Sequence, residues 1–413
     1  MAISDGPFSG TGFSEQMRHI LFGLARTGQF DISWQCLQQM GYPIIFPDSV
    51  FPDLPQKGAS VKVYGTYGDP YHFGADAFLK NYRDINPEMV LFMGDPRNII
   101  PYLDYKIKLG FPLIMYCTLD GLPIHPQWID PLKHVNLLVA MTEWASEEYY
   151  KVGFHPAWIH HGVDCKWWKV DAPDKYSIRQ KLGIPDDVVV FINWDIPQHR
   201  KRTDALLRCW KEFHPEKKNA VLVLYTDWNL ERTLGWSIED LIKQYNVPRN
   251  TILSPVELQG TPKFYDCAER PERLKEIACV GDIYASATSG EGFGLCGLEA
   301  MAMGIPAIIT DYAASSEVHK KGSILVPCYE GRAGRFRLDD RRRSVEAGVV
   351  NEEKFTEAMN LLCQDRVLRQ KLGLEALKWS HRFDFEKKII PKWQSLLGGL
   401  NTDLIAAKEL LNI

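Results

Sequence analysis

Several protein classes leave no mark on this sequence. Its nine cysteines include no Cys-x-x-Cys pair. An odd, scattered set reads as free thiols rather than a disulfide framework, and it lacks zinc-ligand spacing. A reducing compartment such as the cytoplasm is the expectation. No apolar run approaches the roughly 20 residues of a membrane-spanning helix. Residues 1–13 hold Asp5, Pro7 and several glycines, with neither a charged nor an apolar leader region, so no signal peptide is expected. There is no basic excess: 48 Lys and Arg face 52 Asp and Glu, a net charge of −4, which disfavours nucleic acid as the main partner. Neither a fixed-period repeat nor a low-complexity segment is present.

What is there points to an α/β protein of two domains. A chain of 413 residues exceeds the size at which one core usually divides. Short apolar runs occur at residues 61–64, 89–93, 113–117, 137–141, 188–192, 220–225, 282–285, 306–309 and 323–326. Most lack period-2 alternation, as expected of strands buried on both faces of a parallel sheet. Helical patterns lie between them: Met17, Ile20, Leu21 and Leu24 recur at helical spacing behind Ser14, and residues 203–213 and 352–362 behave similarly. The strands fall into two sets, divided by the polar stretch 166–181, the expected linker. Ala2-Ile3-Ser4 is short for a first strand, although Asp5-Gly6-Pro7 already reads as the turn after one. Residues 330–343, rich in Arg and Gly, read as a solvated loop, with an anionic partner site as the lesser alternative. The twelve tryptophans read as core and crevice packing.

The most informative segment is Glu291-Gly292-Phe293-Gly294-Leu295-Cys296-Gly297-Leu298-Glu299. A strand at 282–285, a Gly-rich turn and a helix from Leu295 to about Met303 set free backbone N–H groups and a helix N-terminus at one point. Gly304 and Pro306 end that helix. This is an anion cradle, suited to a diphosphate. Glu291 and Glu299 flank it as acceptors for hydroxyl groups, which sugars and ribose supply. Taken singly, they also fit an ordinary loop acid and a helix N-terminal acid. The cluster His199-Arg200-Lys201-Arg202 follows a strand and precedes a helix, where it can neutralise a diphosphate leaving group; a solvated charge run is the bland alternative.

The segment resembles the E-x7-E motif of retaining GT-B glycosyltransferases of family four, the group 1 glycosyltransferases. Similar stretches are Ala157-Trp158-Ile159-His160-His161-Gly162-Val163-Asp164, Arg179-Gln180-Lys181-Leu182-Gly183-Ile184-Pro185, and residues 306–311 followed by Ser316-Glu317-Val318. The resemblance implies a GT-B fold, two Rossmann-like domains with parallel sheets facing a central cleft. Residues 1–165 would form the acceptor domain and 166–385 the donor domain, and a helix over about 386–413 would cross back onto the first, with Trp393, Leu396 and Leu397 as its apolar face. It implies a nucleotide-diphosphate sugar donor, linked to UDP, GDP or ADP, and an acceptor hydroxyl. Glu291 would contact the donor sugar, the amides of Gly292, Phe293, Gly294 and Leu295 the sugar and phosphate, and Glu299 the ribose. Lys201 would meet the leaving diphosphate together with an arginine. The family often carries that arginine directly after the strand, where this chain has Asn193-Trp194-Asp195, so Arg200 or Arg202 takes the part.

Within the same resemblance, Ser9-Gly10-Thr11-Gly12-Phe13 is similar to the first domain's glycine loop, with Gly12 facing the donor, and the base would be read by backbone near Val256. Asp120, after the strand at 113–117, is the candidate proton acceptor or acceptor-orienting group, or else an ordinary turn Asp before Gly121. Asp95 and the pair His160-His161 are further candidates, the pair reading better as domain-junction packing. No Asp-x-Asp follows a strand, the motif of metal-dependent GT-A transferases, so neither cofactor nor obligatory metal is expected. A nucleotide-sugar epimerase, a glycogen-type phosphorylase and a non-catalytic nucleotide-sugar-binding protein stand as alternatives. The location expected is the cytoplasm, with peripheral membrane attachment compatible.

Overall fold

The computed structural model describes residues 1–411 apart from 69–72, 215–218, 229–234, 256–269 and 341–342. All nine expected runs are strands. The first sheet contains β1 (Ala2–Asp5), β2 (Ser33–Met40), β3 (Ile44–Pro47), β4 (Ser60–Thr66), β5 (Val90–Gly94), β6 (Leu113–Cys117), β7 (Leu137–Ala140) and β8 (Ala157–Trp158), in the order β3-β4-β2-β1-β5-β6-β7-β8. Only β3 runs antiparallel, at an edge. The second contains β9 (Val189–Asn193), β10 (Ala220–Leu224), β11 (Ile252–Leu253), β12 (Ile283–Ser286), β13 (Ala307–Asp311) and β14 (Ser323–Pro327), in the order β11-β10-β9-β12-β13-β14, all parallel.

In each sheet the strand order reverses about one central strand, β1 in the first and β9 in the second. Open α/β sheets bind ligands outside the C-terminal strand ends at such switch points. The short first strand is one of these central strands, paired on both sides with β2 and β5. Four residues suffice because both neighbours supply its hydrogen bonds. The sequence pattern misses β2, whose Gln35 looks too polar for a core. Gln35 is fully buried, but its amide donates to the Gly74 carbonyl at 3.0 Å and the Tyr102 hydroxyl at 3.3 Å.

Two further expectations change. Residues 330–343 are not simply a solvated loop: β15 (Arg335–Asp340) and β16 (Arg343–Gly348) pair as an antiparallel hairpin whose Val345 and Ala347 are buried. The inward apolar face lies just beyond the charged stretch, on residues 345 and 347. Within the polar stretch 166–181 lies the helix Ala172–Lys181. Its buried Arg179 donates to the Val280 carbonyl and to Asp282, and Lys175 reaches Asp282 at 2.8 Å, which ties this helix to the second sheet.

The chain crosses between the sheets twice. Segments around Val163 and Asp384 pair as a parallel bridge, with the Val163 amide donating to the Phe383 carbonyl at 2.9 Å. The helix Ile390–Leu411 then packs on the helix Gly12–Ala25 of the first sheet. Its Trp393 is fully buried, edge-on to Tyr116 at 4.9 Å between centroids, and Leu397 is buried beside it. Among the described residues no helix is long and apolar enough to cross a membrane. Trp393→Ala should cost about 3–5 kcal/mol through the cavity it leaves, read as a lower urea midpoint for the unit containing the first sheet.

Candidate functional site

A cleft of about 380 Å³ lies between the sheets, lined from both by the loops that follow β1, β5, β6, β9 and β12. In the second sheet, β12 runs into the turn that carries Glu291, and the helix Leu295–Ala302 begins at Gly294. Gly294 has φ +92° and offers no side-chain cap, so the first amides of the helix are left to other acceptors. Gly304, at φ +74°, ends it as expected.

Glu291 is the centre of a buried charge network. Its Oε2 accepts from Arg200 Nη1 at 2.7 Å and its Oε1 lies 2.6 Å from Lys201 Nζ. The Thr288 hydroxyl donates to Oε1 at 2.8 Å. Lys201 also donates to Asp195 Oδ1 at 2.9 Å, and Arg200 Nε stands 3.9 Å from Asp120 Oδ2. Asp195 Oδ2 is fixed in turn by Ser286 at 2.7 Å, Tyr284 at 3.1 Å and Asn193 at 3.1 Å. Burial alone would raise the Glu291 carboxyl, but the Arg200 and Lys201 charges outweigh it and hold it below the ordinary range. Burial likewise works against the Asp195 carboxylate, and Lys201 overrides it, so Asp195 sits well below the usual value. Lys201 is held above its usual value against burial by Asp195 and Glu291.

The residues Asn193-Trp194-Asp195 thus carry two functional side chains that sequence reasoning missed. Asp195 anchors Lys201. Trp194 donates its Nε1–H to Glu299 Oε2 at 2.8 Å and fixes that carboxylate, which is itself buried. The available signal was position, since both directly follow β9 at a switch point. The structure also separates the two arginines. Arg202 turns to Asp204 at 2.9 Å and lies over the Phe336 ring, away from the network, whereas Arg200 faces Glu291.

The first sheet closes the cleft from the other side. A Cβ on Gly12 would lie 2.9 Å from Leu295 Cδ1, and one on Gly292 would lie 2.7 Å from both Asp120 Oδ1 and Thr118 Cβ. Gly12 and Leu295, and Asp120 and Gly292, therefore meet across the cleft. Thr11 donates to Asp5 Oδ2 at 2.6 Å and caps the helix Gly12–Ala25 by accepting from the Ser14 amide. Asp95 also lines the cleft, with Thr118 Oγ1 and Arg97 Nη2 each at 3.3 Å.

Phe293 turns its ring away from the cleft's polar groups and packs between His161 and Phe383, at 5.2 and 5.8 Å between centroids. His161 is buried against the Tyr116 hydroxyl, 2.8 Å from Nδ1, and burial together with its neighbour His160 pushes it down to about 3. His160 is 2.5 Å from Glu317 Oε1, and Glu317 accepts the amides of Glu143 and Trp144 at 3.1 and 2.8 Å, spanning the two halves. Val256, expected near the base, lies outside the described residues. Away from the cleft lining, Cys165, His381 and Asp384 bring ligand-type atoms within 4.8 Å of one another, although Asp384 Oδ1 already accepts the Lys387 amide. Every described cysteine is a free thiol.

Residues 186–333, just over a third of the chain, match the family model "Glycosyl transferases group 1". The chain as a whole has the GT-B fold, and residues 186–333 carry the group 1 glycosyltransferase domain. The fold as a whole is similar to Anabaena HepE, solved in complex with UDP and glucose (TM-score 0.67, 14% identity, covering 97% of this chain and 100% of that one). It is also similar to sucrose-phosphate synthase from Thermosynechococcus elongatus (TM-score 0.69, 14% identity, 98% and 99%) and to WaaG, a glycosyltransferase involved in lipopolysaccharide biosynthesis (TM-score 0.63, 14% identity, 96% and 98%). No curated protein sequence matches the chain. The charge network has two testable consequences. Asp195→Asn breaks a buried charge pair and should cost about 3–5 kcal/mol, read by denaturant titration. Because the native Asp195 and Glu291 values are depressed, their stabilisation is complete above roughly pH 4, the unfolded carboxylate range, and is lost as pH falls through the lower native values. Asp195→Asn should therefore flatten the acid side of the stability profile.

Proposed function

We propose that this chain is a glycosyltransferase that moves a sugar from a nucleotide-diphosphate sugar to an acceptor hydroxyl with retention of anomeric configuration. The observation that carries this is the buried Arg200–Glu291–Lys201 arrangement beside an uncapped helix start, with Glu299 held in the same cleft. In this reading the donor diphosphate lies on the amides after Gly292 and takes Arg200 and Lys201 as counter-charges in place of Glu291. These two cations stabilise the negative charge that grows on the leaving nucleotide, with no divalent ion or cofactor assigned. Glu299 receives the ribose hydroxyls and the released Glu291 receives a sugar hydroxyl.

Residues 1–165 serve as the acceptor domain and 166–385 as the donor domain, with the C-terminal helix returning to the first. Asp120 faces Gly292 and Arg200, where it can orient the acceptor hydroxyl or take its proton. Front-face attack, with the leaving phosphate helping to remove that proton, suits the site better than a covalent intermediate on Glu291. The UDP complexes of HepE make UDP the first nucleotide to try. The free thiols fit a cytoplasmic location, and peripheral attachment to a membrane is compatible with it.

A thermal-shift screen against UDP, GDP and ADP should raise the melting temperature for the cognate nucleotide alone. With the corresponding donor, Lys201→Ala and Glu299→Ala should each reduce transfer by about 10²–10³-fold. Full activity in Glu299→Ala would sink the assignment, and a labelled donor returned as an epimer would favour the epimerase reading.

A further inference from the structure

The hairpin β15–β16 begins just beyond residue 333, where the family match ends. It leaves the second sheet and docks on the first. Val345 is 3% exposed and belongs to the first sheet's apolar core, in the cluster that contains Leu119 and Ile124. One residue later, the Glu346 amide donates to the Leu122 carbonyl at 2.7 Å. Two residues further, the Gly348 amide donates to the Ser289 carbonyl at 2.7 Å. Leu122 belongs to the loop that carries Asp120, and Ser289 to the loop that carries Glu291. The Tyr312 hydroxyl donates to the Glu346 carbonyl and steadies the strand. All three backbones meet directly: a Cβ on Gly121 would lie 2.7 Å from the Glu346 oxygen, and one on Gly290 only 2.2 Å from the Asp120 oxygen.

One short strand therefore holds the acceptor-side and donor-side loops in a single register. The Arg200–Asp120 approach across the same cleft, at 3.9 Å, is too long by itself to fix position to a few tenths of an ångström. We propose that the strand segment 345–348 is a positioning element for the transfer step. It sets the Asp120 loop against the Glu291 loop, so that an acceptor hydroxyl rather than water meets the donor carbon. This rests on the transferase reading above. Misplacement by about 1 Å can cost about 100-fold in rate when two reactants must be aligned, whereas water, present throughout a loosened cleft, needs no such alignment.

Glu346→Pro is the direct test. The Glu346 amide bonds to Leu122, so proline deletes the cross-link at a strand edge position where it is tolerated. Hydrogen exchange of the amides in residues 118–123 should rise at least about tenfold, with protection unchanged in β9 and β12. Transfer should fall at least about tenfold while donor hydrolysis is retained or increased and the nucleotide-induced thermal shift is unchanged. Val345→Ala, which trims the side chain seated in the first core, should give the same split in smaller measure, and serves if the proline variant does not fold. Unchanged exchange in residues 118–123 overturns the proposal, as does a parallel loss of hydrolysis and transfer. The exchange result stands without any turnover, so a wild-type protein inert toward every nucleotide sugar would count against the transferase reading and leave the clasp itself decided.

Discussion

Two cations and three carboxylates share one water-poor volume between the sheets: Asp120, Arg200, Glu291, Lys201 and Asp195. None of these charges is tolerable alone at that depth, because an unpaired buried ion costs several kcal/mol. Each is therefore held by its neighbours, and their positions follow from the backbone segments that present them. Lys201 has two carboxylate partners rather than one. That arrangement keeps it protonated and leaves it one fixed anchor, Asp195, when a ligand competes for the other. Asp195 does not itself yield, since Ser286, Tyr284 and Asn193 hold its other oxygen.

The sheets exist, in this respect, to bring those segments together. β9 and β12 are neighbours in space though some 90 residues apart in sequence. Their adjacency places the Lys201 loop against the Glu291 turn, as the bond from the Ser289 amide to the Arg200 carbonyl at 2.7 Å shows. On the facing side β1, β5 and β6 end in the glycine loop, Asp95 and Asp120. The cores beneath are dry and close-packed, so these loops start from rigid strand ends while retaining the freedom of surface segments. Glu317 and the strand segment 345–348 then reach from the second sheet to the first, one at each side of the cleft. The relation between the halves is thus set by these bonds together with buried apolar contacts, among them Val345 in the first core and Phe293 against His161.

Much of this was legible in the sequence because its signals are local. Continuous apolar runs marked nine strands, most of them buried on both faces, where alternation is lost. The E-x7-E segment and its stop at Gly304 lie on contiguous residues, so spacing alone gave the turn, the helix and the two carboxylates. The failures share a different cause. β2 was missed because Gln35 is buried on partners far along the chain, which no window of sequence contains. Residues 330–343 were read as a solvated loop because arginines dominate them, while the apolar Val345 just beyond acts through a core belonging to the other half of the molecule.

The sequence by itself determined the class of fold, the location of the Glu291–Glu299 segment and the supply of cations in one loop. It could not choose between Arg200 and Arg202, because both sit in that loop at nearly the same distance along the chain. The tertiary structure decided it: Arg202, at φ +50°, is turned to Asp204, and only Arg200 reaches Glu291. The same holds for Asp195 and Trp194, whose neighbours Lys201 and Glu299 are set by strand order rather than by spacing. Electrostatic pairing in a buried cleft depends on distances of a few ångströms between segments far apart in the chain, and those distances are fixed only when the sheets have formed.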